Sequence, residues 1–335
     1  MRRLTDCHDA LLLDLDGTLY RGPNAIDGAA DVLGKCSAQL CYVTNNASRS
    51  PTDVAGHLRE LGFEAPDDSV VTSSQAAGRL LAKMLAPGST VLVVGTDALE
   101  AEVSAAGLVP VRSAEPTPDA VVQGHSSETA WSNIAEATYA IRAGARWVAT
   151  NADTSLPTPR GFGPGNGAMV AAVAAATGAT PIVAGKPEAP LMNDALERSG
   201  PRAPLVVGDR LDTDIAGANE VGIPSLLVLT GVSTIRDVLA AIPHERPTYV
   251  AASLSALLAE PSDSEILAAE NSSPWSVSLD GSTLRLEAAD GVDTTGEMWV
   301  DALRSVLART WALGQFESIE GASGPAADVV ARWTA

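Results

Sequence analysis

Cysteine, lysine and long apolar runs are all scarce in this chain of 335 residues. The three cysteines, Cys7, Cys36 and Cys41, are an odd number crowded near the N-terminus. That excludes a disulfide framework and leaves reduced, structural thiols as the expectation. Basic residues number 22 against 41 acidic ones, a net charge of −19. Such a surface repels nucleic acid and anionic membrane, so neither is an expected partner. An anionic small molecule stays admissible, because a bound divalent cation and a few aimed donors set the local field. Asp6, His8 and Asp9 precede the first apolar run and Asp14 ends it, so neither a signal peptide nor a membrane span fits there, and a cytoplasmic location is expected.

What is present is a rhythm. Short apolar, β-branched runs at 10–13, 40–43, 91–94, 120–122, 147–149, 205–207 and 226–229 alternate with longer amphipathic stretches, the pattern of an α/β protein with largely parallel sheets. Ser50 and Pro51 open one helix and Gly62 closes it. A second helix is expected over 128–143, with Ile134, Ala137, Tyr139 and Ile141 as its apolar stripe. The length calls for two or three domains, and 82–184 carries enough elements to be a domain inserted into another. Residues 259–274, rich in Ser, Asp, Glu and Asn, read as a linker. A small α+β C-terminal unit follows over 275–335, with a hairpin turning at Asp280-Gly281 and a helix near 298–310. Trp275, Trp299, Trp311 and Trp333 are expected to pack its core.

Chemistry concentrates where strands are expected to end. Leu11-Leu12-Leu13-Asp14-Leu15-Asp16-Gly17-Thr18 finishes an apolar strand with two carboxylates, at the edge where parallel sheets gather ligands. Alone, this pair also suits an ordinary turn. Thr44-Asn45-Asn46 ends a second strand with a hydroxyl and backbone N–H groups able to hold phosphoryl oxygens, and it suits a polar turn equally well. Lys186, one of three lysines, lies between Gly185 and Pro187 just after another apolar run and offers a compact positive charge. Asp209 follows the run at 205–207 and offers a hard oxygen ligand for Mg²⁺. Asp214 opens the next helix beside the metal, and Asp212 is expected to cap that helix. The glycines at 161, 163, 165 and 167 do not have the spacing of a dinucleotide-binding loop.

In this order and spacing the four pieces resemble the haloacid dehalogenase-like superfamily, in its phosphatase branch with a large cap between the second and third motifs; the resemblance covers about residues 8–258. Tyr42 to Ser48, Asn151-Ala152-Asp153 with Pro157, and Thr230-Gly231-Val232-Ser233-Thr234 are similar to the phosphatases of glycerol 3-phosphate, phosphoglycolate, pyridoxal phosphate and nitrophenyl phosphate. The resemblance implies a Rossmann-like parallel-sheet core (1–81 and 185–258) carrying an inserted α/β cap (82–184). It implies Asp14 as nucleophile and Asp16 as acid and base. It implies Mg²⁺ on the Asp14 carboxylate, the Asp16 carbonyl and Asp209, backed by Asp214. Thr44 and Lys186 complete the catalytic set, and Asn45, Asn46, Asn151, Asp153, Arg160 and Asn166 are the substrate-binding candidates. The expected substrate is a small phosphorylated metabolite, glycerol 3-phosphate first and 2-phosphoglycolate next, and a homodimer is allowed.

Three other readings are weighed against this one. A dehalogenase has little use for Asp16, a phosphomutase does not release phosphate, and a receiver-type signalling module lacks an insertion of this length. In the C-terminal unit the order of strand, hairpin and helix resembles part of a GCN5-related acetyltransferase fold. No glycine-rich pyrophosphate loop is found there, so acetyl transfer is not assigned and a regulatory, dimerising or core-covering role is expected.

Overall fold

A computed structural model describes residues 2–158, 160–266, 273–292 and 298–334. They form two compact units, Met1–Gln39 with Pro201–Ala335, and Leu40–Gly200.

In the first unit four parallel strands lie in the order Tyr249–Ala251, Ser225–Val228, Pro204–Gly208 and Ala10–Leu13. Leu11, Leu12 and Leu13 are buried without alternation, as are Leu205, Val206 and Val207. Strands covered on both faces read this way, which is why the sequence shows runs there instead of a period of two. Leu13 pairs with Val207, so Asp14 and Asp209 leave the same edge of neighbouring strands.

The C-terminal segment builds a three-stranded sheet. Trp275–Asp280 and Thr283–Ala288 form the expected hairpin, turning through Gly281 at φ 62°, and Ser318–Gly321 pairs parallel to its second strand. The helices Met298–Leu313 and Gly324–Trp333 pack on it. Trp275, Leu286, Leu303, Leu307 and Trp333 share one apolar cluster with Leu211, Ile215, Leu227 and Val238, and Trp299 and Trp311 pack against it. Trp311 Nε1 donates to the Val238 carbonyl at 2.9 Å. The core is therefore continuous across the segment expected as a linker, of which residues 267–272 lie outside the described residues.

In the second unit the strands Gln39–Thr44 and Val70–Thr72 pair in parallel. A separate five-stranded parallel sheet runs in the order Ile182–Val183, Arg146–Ala149, Ala120–Gln123, Thr90–Val94 and Val109–Val111. An antiparallel hairpin, Ser155–Thr158 with Gly161–Pro164, lies in the same unit. Helix Pro51–Glu60 begins as expected: Ser50 Oγ accepts from the Asp53 N–H at 3.1 Å and the Asp53 carboxylate takes the Ser50 N–H in return. The helix expected from residue 128 begins at Trp131, because the Asn133 side chain binds the Ala130 N–H and fixes the start there. Tyr139 is 56% exposed and does not join the core; the buried stripe is carried by Ala135, Ala137 and Ala140.

Candidate active site

The first unit gathers acids. Asp14, Asp209 and Asp214 each present a carboxylate oxygen within 4.8 Å of the others. Asp209 is 0% exposed and Asp214 1%. Neighbouring parallel strands place Asp14 and Asp209. A single π turn, Leu211–Ile215, brings back Asp214, whose Oδ2 accepts the Arg210 N–H at 3.1 Å. Such turns recur at functional sites. The loop between Asp14 and Tyr20 is tight: the Gly17 N–H donates to the Tyr20 carbonyl at 2.8 Å, and Gly17 sits at φ +86°. It leaves the Asp16 side chain exposed, with Tyr20 Oη 3.4 Å from Oδ2.

Asp209 is held from several sides. Thr18 Oγ1 donates to Oδ1 at 3.3 Å, and the Val232 N–H donates to Oδ2 at 2.7 Å. A Cβ on Gly231 would lie 1.8 Å from Asp209 Oδ2, and one on Gly17 2.4 Å from it. Thr230 Oγ1 donates to the Gly17 carbonyl at 2.7 Å, tying the two glycine loops together. Three carboxylates this close need an opposite charge. An all-oxygen, all-acid donor set suits a hard divalent cation such as Mg²⁺ and ill suits softer, nitrogen- or sulfur-seeking metals. The residues thus fit the metal that the resemblance implies.

Asp212 does not cap a helix. Its carboxylate takes Arg210 Nε at 3.0 Å and Nη2 at 2.8 Å, which holds its pKa below the ordinary carboxylate value. The reason is local: Leu211–Ile215 winds as a π turn with Asp212 inside it, so the α-helix Ala216–Glu220 starts too late for position 212 to cap.

The second unit gathers Thr44, Asn45, Asn151, Asp153 and Lys186. Thr44 is 5% exposed and its Oγ1 accepts the Asn46 N–H at 3.1 Å. Asn46 is exposed, and its side chain folds back onto the Ser48 N–H and hydroxyl. Lys186 is 3% exposed and its Nζ donates to the Val43 carbonyl at 3.2 Å. Asn151 Nδ2 donates to the Asn45 carbonyl at 2.7 Å and its Oδ1 accepts the Asp153 N–H.

Of the two remaining substrate-binding candidates, Arg160 stands apart from that group and Asn166 is bonded to it through Asn151. Arg160 lies exposed at the turn of the antiparallel hairpin. Asn166 is 1% exposed, and its amide donates to the Gln123 and Asn151 carbonyls at 3.2 and 2.8 Å. Both its donors are engaged inside the unit, and its Oδ1 is buried with no hydrogen-bond partner among the described residues. The glycine-rich stretch has a packing reason: a Cβ on Gly165 or Gly167 would lie 2.2 Å from the carbonyl oxygen of Asp153 or Ala152 respectively.

Sequence reasoning missed Thr18, Gly231 and Gly185 as site residues. Thr18 stands within the first motif, and 230–234 is one of the stretches that carried the resemblance, so a signal existed for two of them. Gly185 is explained only by what touches it.

Comparison with known proteins agrees with this geometry. The family model described as haloacid dehalogenase-like hydrolase matches residues 11–109, and a HAD-hydrolase-like model matches 183–257. A D-glycerol 3-phosphate phosphatase of Mycobacterium tuberculosis (strain ATCC 25618 / H37Rv) is 51% identical over 93% of this chain and 88% of its own length. An acid sugar phosphatase of Staphylococcus aureus (strain MRSA252) is 39% identical over 76% of this chain and 98% of its own. The crystal structure of a glycerol phosphate phosphatase from Mycobacterium tuberculosis in complex with magnesium superposes with a TM-score of 0.92 at 48% identity, over 100% of this chain and 99% of that one. On these matches the chain belongs to the haloacid dehalogenase-like hydrolases.

Proposed function

We infer that this protein is a Mg²⁺-dependent phosphatase that hydrolyses a small phosphomonoester through an aspartyl-phosphate, with glycerol 3-phosphate as the first candidate substrate. The observation that carries the reading is the convergence of Asp14, Asp209 and Asp214 at one edge of the parallel strands. The half-identical glycerol 3-phosphate phosphatase supports the choice of substrate, with 2-phosphoglycolate and pyridoxal phosphate as the runners-up.

The Asp14 carboxylate attacks phosphorus, the bond to the leaving oxygen breaks, and Asp16 gives that oxygen its proton. Asp16 then takes a proton from the water that attacks the phosphorus of the aspartyl-phosphate, releasing inorganic phosphate and restoring Asp14. An alkoxide leaves poorly near neutral pH, and a positioned proton donor typically contributes about 10²- to 10⁴-fold. Covalent capture divides one hard displacement into two easier ones. Asp14, Asp209 and the Asp16 carbonyl would hold Mg²⁺, with Asp214 beside them, and the ion supplies the charge that lets one anion approach another. Thr44 and the N–H groups after it bind the transferring oxygens, and Lys186 offsets the developing charge.

The core in this reading comprises 1–81 and 185–258, and the cap 82–184, which contains every strand of the five-stranded sheet. Asn151, Asp153 and Arg160 lie in the cap and are its candidates to meet the leaving group. The exposed Trp131, Tyr139 and Phe162 favour a homodimer, which a monomer mass in light scattering would remove. Among the described residues no helix is long and apolar enough to cross a membrane. A cytoplasmic location is consistent with that, and recovery of the protein outside the soluble cell fraction would count against it.

A screen of phosphate release over small phosphomonoesters tests the function. Activity should require Mg²⁺, should be highest on glycerol 3-phosphate among the three substrates named, and should vanish in Asp14→Asn with the circular dichroism unchanged. Full activity in that variant would remove the nucleophile.

A further inference from the structure

The Asn45 side chain grips the backbone of a residue far away in the chain. Its Oδ1 accepts the Lys186 N–H at 2.8 Å and its Nδ2 donates to the Lys186 carbonyl at 3.0 Å, so one amide closes a two-bond ring on one residue. The second Nδ2 hydrogen faces the Asp153 carboxylate, whose oxygens lie 3.3 and 3.4 Å away. The Asn45 carbonyl is fixed in turn by Ser73 Oγ at 2.6 Å and Asn151 Nδ2 at 2.7 Å. Both donors of the side chain are committed to protein, which leaves it no hydrogen for a phosphoryl oxygen.

The neighbouring residue is shaped to this grip. A Cβ on Gly185 would lie 2.6 Å from Asn45 Oδ1 and 2.6 Å from the Thr150 carbonyl oxygen, so only glycine lets the chain approach this closely. At the other end of the lysine, Nζ donates to the carbonyl of Val43, two residues before Asn45. The end of one strand therefore holds Lys186 by its backbone and by its ammonium. A long lysine side chain loses much rotamer freedom when ordered, and a charge that acts by electrostatics must already be in place when the reaction needs it.

We propose that Asn45 is the positioning residue for the Lys186 ammonium and not a substrate ligand. The proposal rests on the phosphatase reading for its kinetic consequence alone; the grip itself is tested without activity. Two measurements are made on the full chain. In the first, wild type, Asn45→Ala and the near-isosteric Asn45→Asp are reductively methylated, and the rate at Lys186 is followed by mass spectrometry. Asn45→Asp keeps the acceptor for the Lys186 N–H and loses the donor to its carbonyl, so it serves if the alanine variant fails to fold. Lys186 should label several-fold faster in the variants than in the wild type, and equal protection overturns the proposal.

The second measurement is a double-mutant cycle on kcat and KM with Lys186→Met, using glycerol 3-phosphate and Mg²⁺. Asn45→Ala or Asn45→Asp should lower kcat by about 10- to 100-fold, the scale of a misplaced catalytic group, and should add no further loss in the Lys186→Met background. Losses that multiply, or a raised KM with kcat intact, overturn the proposal in favour of a general structural or direct substrate role. A wild type without phosphatase activity would defeat the functional reading instead, and the labelling rates would still decide the grip.

Discussion

A glycine beside a buried carboxylate is a constraint on space. Gly231 has no room for a methyl group, since its Cβ would stand 1.8 Å from Asp209 Oδ2, and the next residue supplies the N–H that holds the same oxygen. Gly231→Ala should therefore displace the Asp209 carboxylate. We expect phosphate release to fall by about 10²-fold and the Mg²⁺ concentration for half-activity to rise, while the circular dichroism stays that of the wild type. An unaltered Mg²⁺ dependence would contradict the placement of Asp209. The acids at 14, 209 and 214 that converge were legible in the sequence, because each lies at or just after the end of an apolar run. Gly185 was not, and Thr18 and Gly231 were signalled only by lying within motifs. The meaning of the two glycines lies in a missing side chain next to atoms elsewhere in the chain, and that of Thr18 in one hydrogen bond to a distant residue. Asn45 and Lys186 were both candidates in the sequence, but that one grips the other was not readable there.

Elements were legible where burial leaves an unbroken apolar run, as at Ala10–Leu13, or where a cap spells out the start of a helix. Ser50-Pro51 with Asp53 is such a cap, and both of its reciprocal bonds are made. Ser50→Ala should lower stability by about 1 kcal/mol, read as an earlier urea midpoint with an unchanged slope. A midpoint that does not move would mean the cap contributes nothing measurable. The hairpin Ser155–Thr158 and Gly161–Pro164 escaped notice because its glycines and prolines carry none of the β-branched alternation that marks a strand. Asp212 was misread because a π turn shifts the start of the following helix. In the stripe of 131–142, Ala137 is buried and Ile134 and Ile141 pack against the core as expected, and only Tyr139 was misread, since it faces outward.

For the whole molecule, a net charge of −19 and an anionic substrate are compatible only if the local field differs from the global one. The carboxylate cluster meets that condition when a divalent cation occupies it, because the ion is then the largest charge nearby. The insertion between motifs and the change of texture after residue 258 suggest a core, a cap and a C-terminal unit, whereas the chain clusters into Met1–Gln39 with Pro201–Ala335 and Leu40–Gly200. What composition did not reveal is that Trp275, Leu303 and Trp333 share one core with Ile215 and Leu227, since nothing local marks which apolar faces will meet.

In the proposed reaction, phosphate passes through the carboxylate at position 14. Borohydride added during turnover of glycerol 3-phosphate reduces an aspartyl-phosphate to homoserine, and peptide mass spectrometry locates it. Homoserine is expected at position 14, dependent on both substrate and Mg²⁺. Steady phosphate release with position 14 left as unmodified aspartate would contradict it.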